Sequence, residues 1–187
     1  MLISKELRKK NIAEYLLYMW QVEDLLRAVD LDADKLASIV DSSGQPEEVC
    51  REWKQWYADL ADMMRSEGIR KNGHLQINSN VIIMLADLNK RLLASDKMQD
   101  YKHEYYKALP VIVEFRAKNG MSTGSRSEIE DCFDLMYGVL MLRLKGAEIS
   151  KGTEDAAGTV SHLLAMLSDM YKKDRDGFLD LDNENDI

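Results

Sequence analysis

Cysteine is scarce: Cys50 and Cys132 are the only two in 187 residues, and they stand far apart. Two thiols cannot form a disulfide framework, and a reducing, cytoplasmic setting is the reading they favour. Proline occurs twice and glycine ten times, which argues against turn-dense β structure and for long helices. No apolar run approaches the roughly 20 residues that cross a bilayer as a helix. The basic start lacks an apolar stretch ending in a small-residue cleavage site, so neither a membrane partner nor a secretory signal is expected. Positive charge is also short, with 25 Lys and Arg against 33 Asp and Glu, a net of −8. The only basic cluster is Lys5, Arg8, Lys9 and Lys10, opposed by Glu6. Duplex binding needs clustered cations to displace counterions from phosphates, so nucleic acid is not an expected partner.

What is present is a soluble composition, 45% hydrophobic and 31% charged. A chain of this length buries about 70% of its unfolded surface and needs no metal or disulfide staple. Its apolar residues recur near every 3.6 positions. Ile3, Leu7, Ile12, Tyr15, Leu16, Met19, Val22, Leu26 and Val29 form one stripe and predict a helix from Ser4 to about Asp30. Asp32 is placed to cap a short helix to Val40, and Pro46 to open one that ends by Gly68. His74–Ile77 reads as a connector, with Asn78 or Ser79 capping a helix from Val81 to Ala94. Lys97–Lys118 is expected to kink or split near Pro110, because proline lacks an N–H and clashes with the carbonyl four residues back. Ser125 or Ser127 caps Glu128–Lys145, and a last helix runs from about Thr153 to Lys173. The expectation is one all-α domain over residues 1–173, a bundle of five to seven mostly antiparallel helices. After it, Asp174–Ile187 holds six acids and one base and reads as a disordered acidic tail.

Reactive constellations are incomplete. Asp100-x-x-His103 approximates half of a di-iron motif but begins with Asp and occurs once. His74, His103 and His162 lie on separate segments, with no pair at helical i, i+4 spacing for zinc. The acid pairs Asp59/Asp62 and Glu128/Asp131 share helix faces, yet widely separated pairs suit solubility better than magnesium. Around Gly177 a calcium loop would place Lys172 first and Asn183 last, and both fail. Both cysteines sit in apolar helical patterns, as packed cysteines do. Neither a Gly-x-Ser-x-Gly elbow nor a phosphate-binding glycine loop occurs. No metal and no cofactor is expected.

Aromatic residues gather in three patches, Tyr15/Tyr18/Trp20, Trp53/Trp56/Tyr57 and Tyr101/Tyr105/Tyr106. Helical spacing cannot point every ring of a patch inward, so at least one in each lies near the surface, where it suits a partner or a second copy. Eleven methionines agree with an adaptable surface. Three blocks, Asn11–Trp20 (NIAEYLLYMW), Gly73–Asn78 (GHLQIN) and Tyr105–Pro110 (YYKALP), resemble a bacterial family, domain of unknown function family 4924. The resemblance spans about Met1 to Lys173 and implies a short helical protein without an assigned enzyme. It transfers no functional residue.

Polar residues beside those apolar blocks are the candidate ligand-binding positions: Glu14, His74, Gln76, Asn78 and Lys107, with His103 joining them if a pocket forms inside the bundle. The leading expectation is a non-enzymatic interaction module, a homo-oligomer or a binder of a protein partner. The alternative is a hydrolase or small-ligand binder with a polar or metal site among the helices.

Overall fold

The structure is a computed structural model that describes residues 2–120 and 126–181. Among the described residues it is all-helical: α1 (Leu2–Lys10), α2 (Ile12–Ala28), α3 (Ala33–Asp41), α4 (Glu47–Ser66), α5 (Gln76–Ala94), α6 (Gln99–Lys118), α7 (Glu128–Leu144) and α8 (Lys151–Arg175). None of these helices is long and apolar enough to cross a membrane.

Eight helices replace the expected five to seven, because the first predicted helix is two. Asn11 leaves helical geometry, and its side-chain oxygen accepts the N–H groups of Ala13 and Glu14 at 3.1 and 3.2 Å. Its amide donates back to Glu14 Oε1 at 2.9 Å, a reciprocal cap. Only one residue departs from the helix, so the apolar stripe continues across the break and hides it from periodicity. Of the kink or split expected near Pro110, the split does not occur; α6 runs through it. The carbonyl that loses its bond is that of Tyr106, and both Tyr106 and Pro110 are exposed, so water can satisfy it.

The α5 start moves as well, to Gln76 rather than Val81, and Asn78 lies inside the first turn instead of capping it. The sequence offers no local cap there because the caps are tertiary. Glu23 Oε1 on α2 accepts from the Leu75 N–H at 3.0 Å, and Glu67 just beyond α4 accepts from the Gln76 N–H at 2.7 Å. Asp32 and Ser127 cap α3 and α7 as anticipated, and Ser150 caps α8 three residues before the expected start. The other proposed cap, Ser125, lies outside the described residues.

The centre of the bundle is α2, α5, α7 and α8, with α6 laid against α8 and α7, while α3 and α4 pack chiefly on each other. Leu16, Leu26, Leu88, Phe133 and Leu163 are among the fully buried side chains. At the α2–α3 turn Asp30 and Leu31 adopt φ of 55° and 58°, a conformation that costs a non-glycine residue about 1–2 kcal/mol. Burial of the Leu31 side chain and the Arg65 guanidinium on its carbonyl hold the turn.

At the other end α8 continues through Arg175, past the expected boundary at Lys173. Arg91 grips Asp174 with two bonds of 2.7 and 3.0 Å, Lys97 pairs with Asp180 at 2.7 Å, and Leu179 and Leu181 lean on the core. Asp176 pairs with the neighbouring Arg175 at 2.9 Å, and the last three acids, Asp182, Glu184 and Asp186, lie outside the described residues. Arg91 holds the Asp174 carboxyl below its ordinary pKa. A lowered folded pKa means stabilisation that is present above about pH 4 and disappears as the pH falls through the folded value. Replacing Asp174 by Asn therefore lowers stability at pH 7 by less than about 1 kcal/mol, because the pair is partly solvated. The wild-type and variant curves converge once the pH falls below that folded value in acid titrations of thermal stability.

Candidate functional site

Glu23 is the organising residue of the polar interior. It falls on the buried stripe of α2 among Trp20, Val22 and Leu26 and is wholly inaccessible to solvent. Oε1 accepts from the Leu75 N–H at 3.0 Å and from Asn78 Nδ2 at 2.7 Å, while Oε2 lies 2.6 Å from His74 Nδ1. Arg27, one turn on, approaches the same carboxylate at 3.9 Å, pairs with Asp24 at 2.9 Å and donates to the Gly73 carbonyl. Asn78 in turn accepts from the Tyr15 hydroxyl at 3.3 Å. A buried carboxylate without partners is prohibitively costly, and here each oxygen has them. The consequence is mechanical: α2 fastens the Gly73–Leu75 segment and the first turn of α5.

His74 lies flat on Trp20, ring centroids 4.0 Å apart, and Tyr137 meets the indole edge-on at 5.5 Å. The Tyr137 hydroxyl donates to Asp24 at 2.6 Å; burial first, then this bond, pushes its pKa well above the ordinary tyrosine range. Burial likewise raises the Asp134 carboxyl, against the pull of Arg126 2.5 Å away and of His74. A carboxylate-oriented imidazole can pass a proton at Nε2, but His74 makes no hydrogen bond to a hydroxyl or thiol among the described residues. Nor do three His, Cys, Asp or Glu side chains gather around one point there, as a metal ion would require.

Of the six candidate positions, the structure joins only His74 and Asn78, through Glu23. Glu14 is exposed and serves the Asn11 cap. Gln76 is exposed and bonds Asn80 at 2.8 Å. His103 is exposed on α6, and Lys107 lies 3.5 Å from Glu104, which His162 approaches at 3.8 Å.

A second buried ionic group joins α6 to α7. Arg116 binds Asp131 through Nε at 2.6 Å, Glu128 at 3.4 Å and the Arg126 carbonyl at 3.1 Å. Burial opposes the guanidinium charge, yet Asp131 and Glu128 outweigh it and hold the Arg116 pKa above its ordinary value. Cys132 beside it is fully enclosed, and burial drives its thiol pKa far upward, so it is no nucleophile.

The exterior carries two further features. On α6, Tyr106, Pro110, Val113 and Ala117 recur at i, i+4, i+7 and i+11 and all face outward, with Tyr106 63% and Val113 53% exposed. This is one apolar stripe on the side of α6 turned away from the bundle. Beyond a polar row of Lys107, Glu114 and Lys118, a groove of about 630 Å³ opens between α6, α7 and the start of α8. Phe115, Leu135, Val139 and Leu142 line its apolar part.

A family model described as Domain of unknown function (DUF4924) matches residues 1–178. The chain belongs to that family. No curated protein and no solved structure matches it. In this family member the first two sequence blocks meet at the Glu23 cluster, supplying Tyr15 and Trp20 from one and His74, Leu75 and Asn78 from the other. The third block places Tyr105 inside and Tyr106, Lys107 and Pro110 outside on α6. Sequence reasoning missed Glu23, and it read Asp131 with Glu128 as a solvated acid pair, whereas Asp131 is buried against Arg116. The signal was there: each is an acid at a position whose helical neighbours are apolar and inward, where a charge demands partners.

Proposed function

We propose that this protein is a non-enzymatic helical module that pairs with a second copy of itself through the outer face of α6. The observation that carries the reading is the Tyr106–Pro110–Val113–Ala117 stripe. Isolated exposed apolar side chains are ordinary, but an aligned run on one helix face marks an interaction surface. A twofold pairing of antiparallel α6 helices centred near Pro110 sets Tyr106 of each copy opposite Glu114 of the other, so the face complements itself. The Tyr106 ring is an amphipathic anchor of the kind that dominates such contacts. The polar interior supports the same reading, because the Glu23 carboxylate is spent on the Leu75 N–H, the Asn78 amide and His74 instead of being presented to a substrate. The free, buried thiols of Cys50 and Cys132 support a reducing, cytoplasmic setting.

Size-exclusion chromatography with light scattering tests this. The wild type is expected to be a dimer in the micromolar range. Val113→Glu, which places a charge on an already exposed position, is expected to shift the protein to monomer with unchanged helical circular dichroism. A wild type that remains strictly monomeric at about 100 µM, a concentration corresponding to some −5.5 kcal/mol of pairing energy, contradicts the proposal.

A further inference from the structure

The groove between α6, α7 and α8 borders the proposed pairing face, sharing Glu114 with it, and its chemistry is different. Its volume of about 630 Å³ lies in the range of small-molecule sites, roughly 300–1,000 Å³. Phe115, Leu135, Val139, Leu142 and Ala156 give it an apolar floor. Two glycines also line it, Gly138 in the middle of α7 and Gly152 in the first turn of α8. Neither has a positive φ, and a Cβ added at either would meet no atom within 4 Å. Glycine inside a helix costs about 1 kcal/mol relative to alanine, and at Gly138 neither turn geometry nor packing within the chain requires it. What its missing side chain does is keep the groove wide.

Charge is confined to the rim. Lys118 is there, paired with Glu114 at 2.7 Å, and Lys145 is there with no carboxylate partner among the described residues. The first turn of α8 borders the same rim. Ser150 Oγ accepts the Thr153 N–H at 3.2 Å, which leaves the Lys151 and Gly152 amides without intrahelical acceptors and the positive end of a 25-residue helix facing the mouth. Two lysines thus stand against one glutamate in the lining, with Glu154 in the same first turn of α8, on a chain whose overall charge is −8.

We infer that this groove binds a single-chain long-chain carboxylate, with the alkyl chain on the Phe115–Val139–Leu142 floor and the carboxylate at Lys145 and the start of α8. The apolar floor supplies the affinity and the unpaired lysine the head-group preference. A protein helix is a poorer occupant, since the cavity is of ligand size.

Calorimetric titration with laurate, kept below the concentration at which it forms micelles, tests this on the full chain. Saturable one-to-one binding is expected, with dodecanol weaker by about fivefold because it lacks the charge that meets Lys145. Gly138→Leu fills the groove while raising helix propensity, so it is expected to stay folded and to lose binding at least about tenfold. Lys145→Glu, a surface change, is expected to weaken laurate by about fivefold or more and leave dodecanol unaffected. Absence of saturable laurate binding overturns the inference, as does equal affinity for dodecanol, or an affinity unchanged in both variants. Light scattering of the same samples reads the oligomeric state separately. Loss of dimerisation in Gly138→Leu, with no laurate binding by the wild type, assigns the groove to a second copy and likewise overturns the inference.

Discussion

Glu23→Ala is expected to lower the unfolding free energy by about 3–5 kcal/mol, the range found when one partner of a buried charged network is removed. The substitution leaves three groups facing an apolar hole: the Leu75 N–H, the Asn78 amide and His74 Nδ1, all bound to this carboxylate in the wild type. Each unsatisfied buried donor costs about 1–3 kcal/mol, and partial relaxation of the Gly73–Leu75 segment recovers some of that. For a domain of this size each kcal/mol corresponds to about 2–4 °C, so the melting temperature falls by roughly 10 °C. Glu23→Gln retains the shape and one accepting oxygen and is expected to cost about half as much. Thermal and urea unfolding followed by circular dichroism measure both. Equal, small losses would show that the carboxylate does not anchor α5.

Asp131→Ala is the second large effect, again about 3–5 kcal/mol. It strips Arg116, 9% exposed at its side chain, of its closest counter-ion and leaves a guanidinium buried beside Cys132. Glu128 at 3.4 Å and the Arg126 carbonyl compensate only in part. Arg116→Met combined with Asp131→Leu removes both charges together, and an apolar pair of similar volume is often no less stable than the ion pair it replaces. The double variant is therefore expected to be more stable than Asp131→Ala alone. Urea unfolding of Arg116→Met, Asp131→Leu and the double variant, read as a double-mutant cycle with Asp131→Ala alongside, measures this. A double variant worse than the sum of the singles contradicts the account of this pair.

The class of fold was legible because a 3.6-residue apolar repeat survives every local irregularity. The irregularities were not. Asn11 ends a helix through its own side chain without disturbing the stripe, and Pro110 sits on the solvent side of α6, where the lost hydrogen bond can be made to water. The α5 start depends on Glu23 and Glu67, residues 52 and 9 positions away from the amides they accept, and no local capping rule reaches that far. For the site, the blocks around Trp20 and His74 were visible, and two of the six polar candidates, His74 and Asn78, do meet. The residue that joins them was overlooked because acids in a helix are usually read as solvated. Tyr106 fulfils the expectation that one ring of its patch points outward. The groove had no signature at all, since its lining comes from three helices and its width from glycines that look like weak points in a helical pattern.

The central claim is that this protein acts through the outer face of α6 and that the His74–Glu23 cluster only holds the fold. Sedimentation equilibrium of the wild type, Tyr106→Glu and His74→Ala, each confirmed folded, tests it most directly. The account predicts that the His74 variant still dimerises as the wild type does, while the Tyr106 variant sediments as a monomer of about half the mass. A Tyr106 variant that dimerises normally, beside a folded His74 variant that does not, would contradict it.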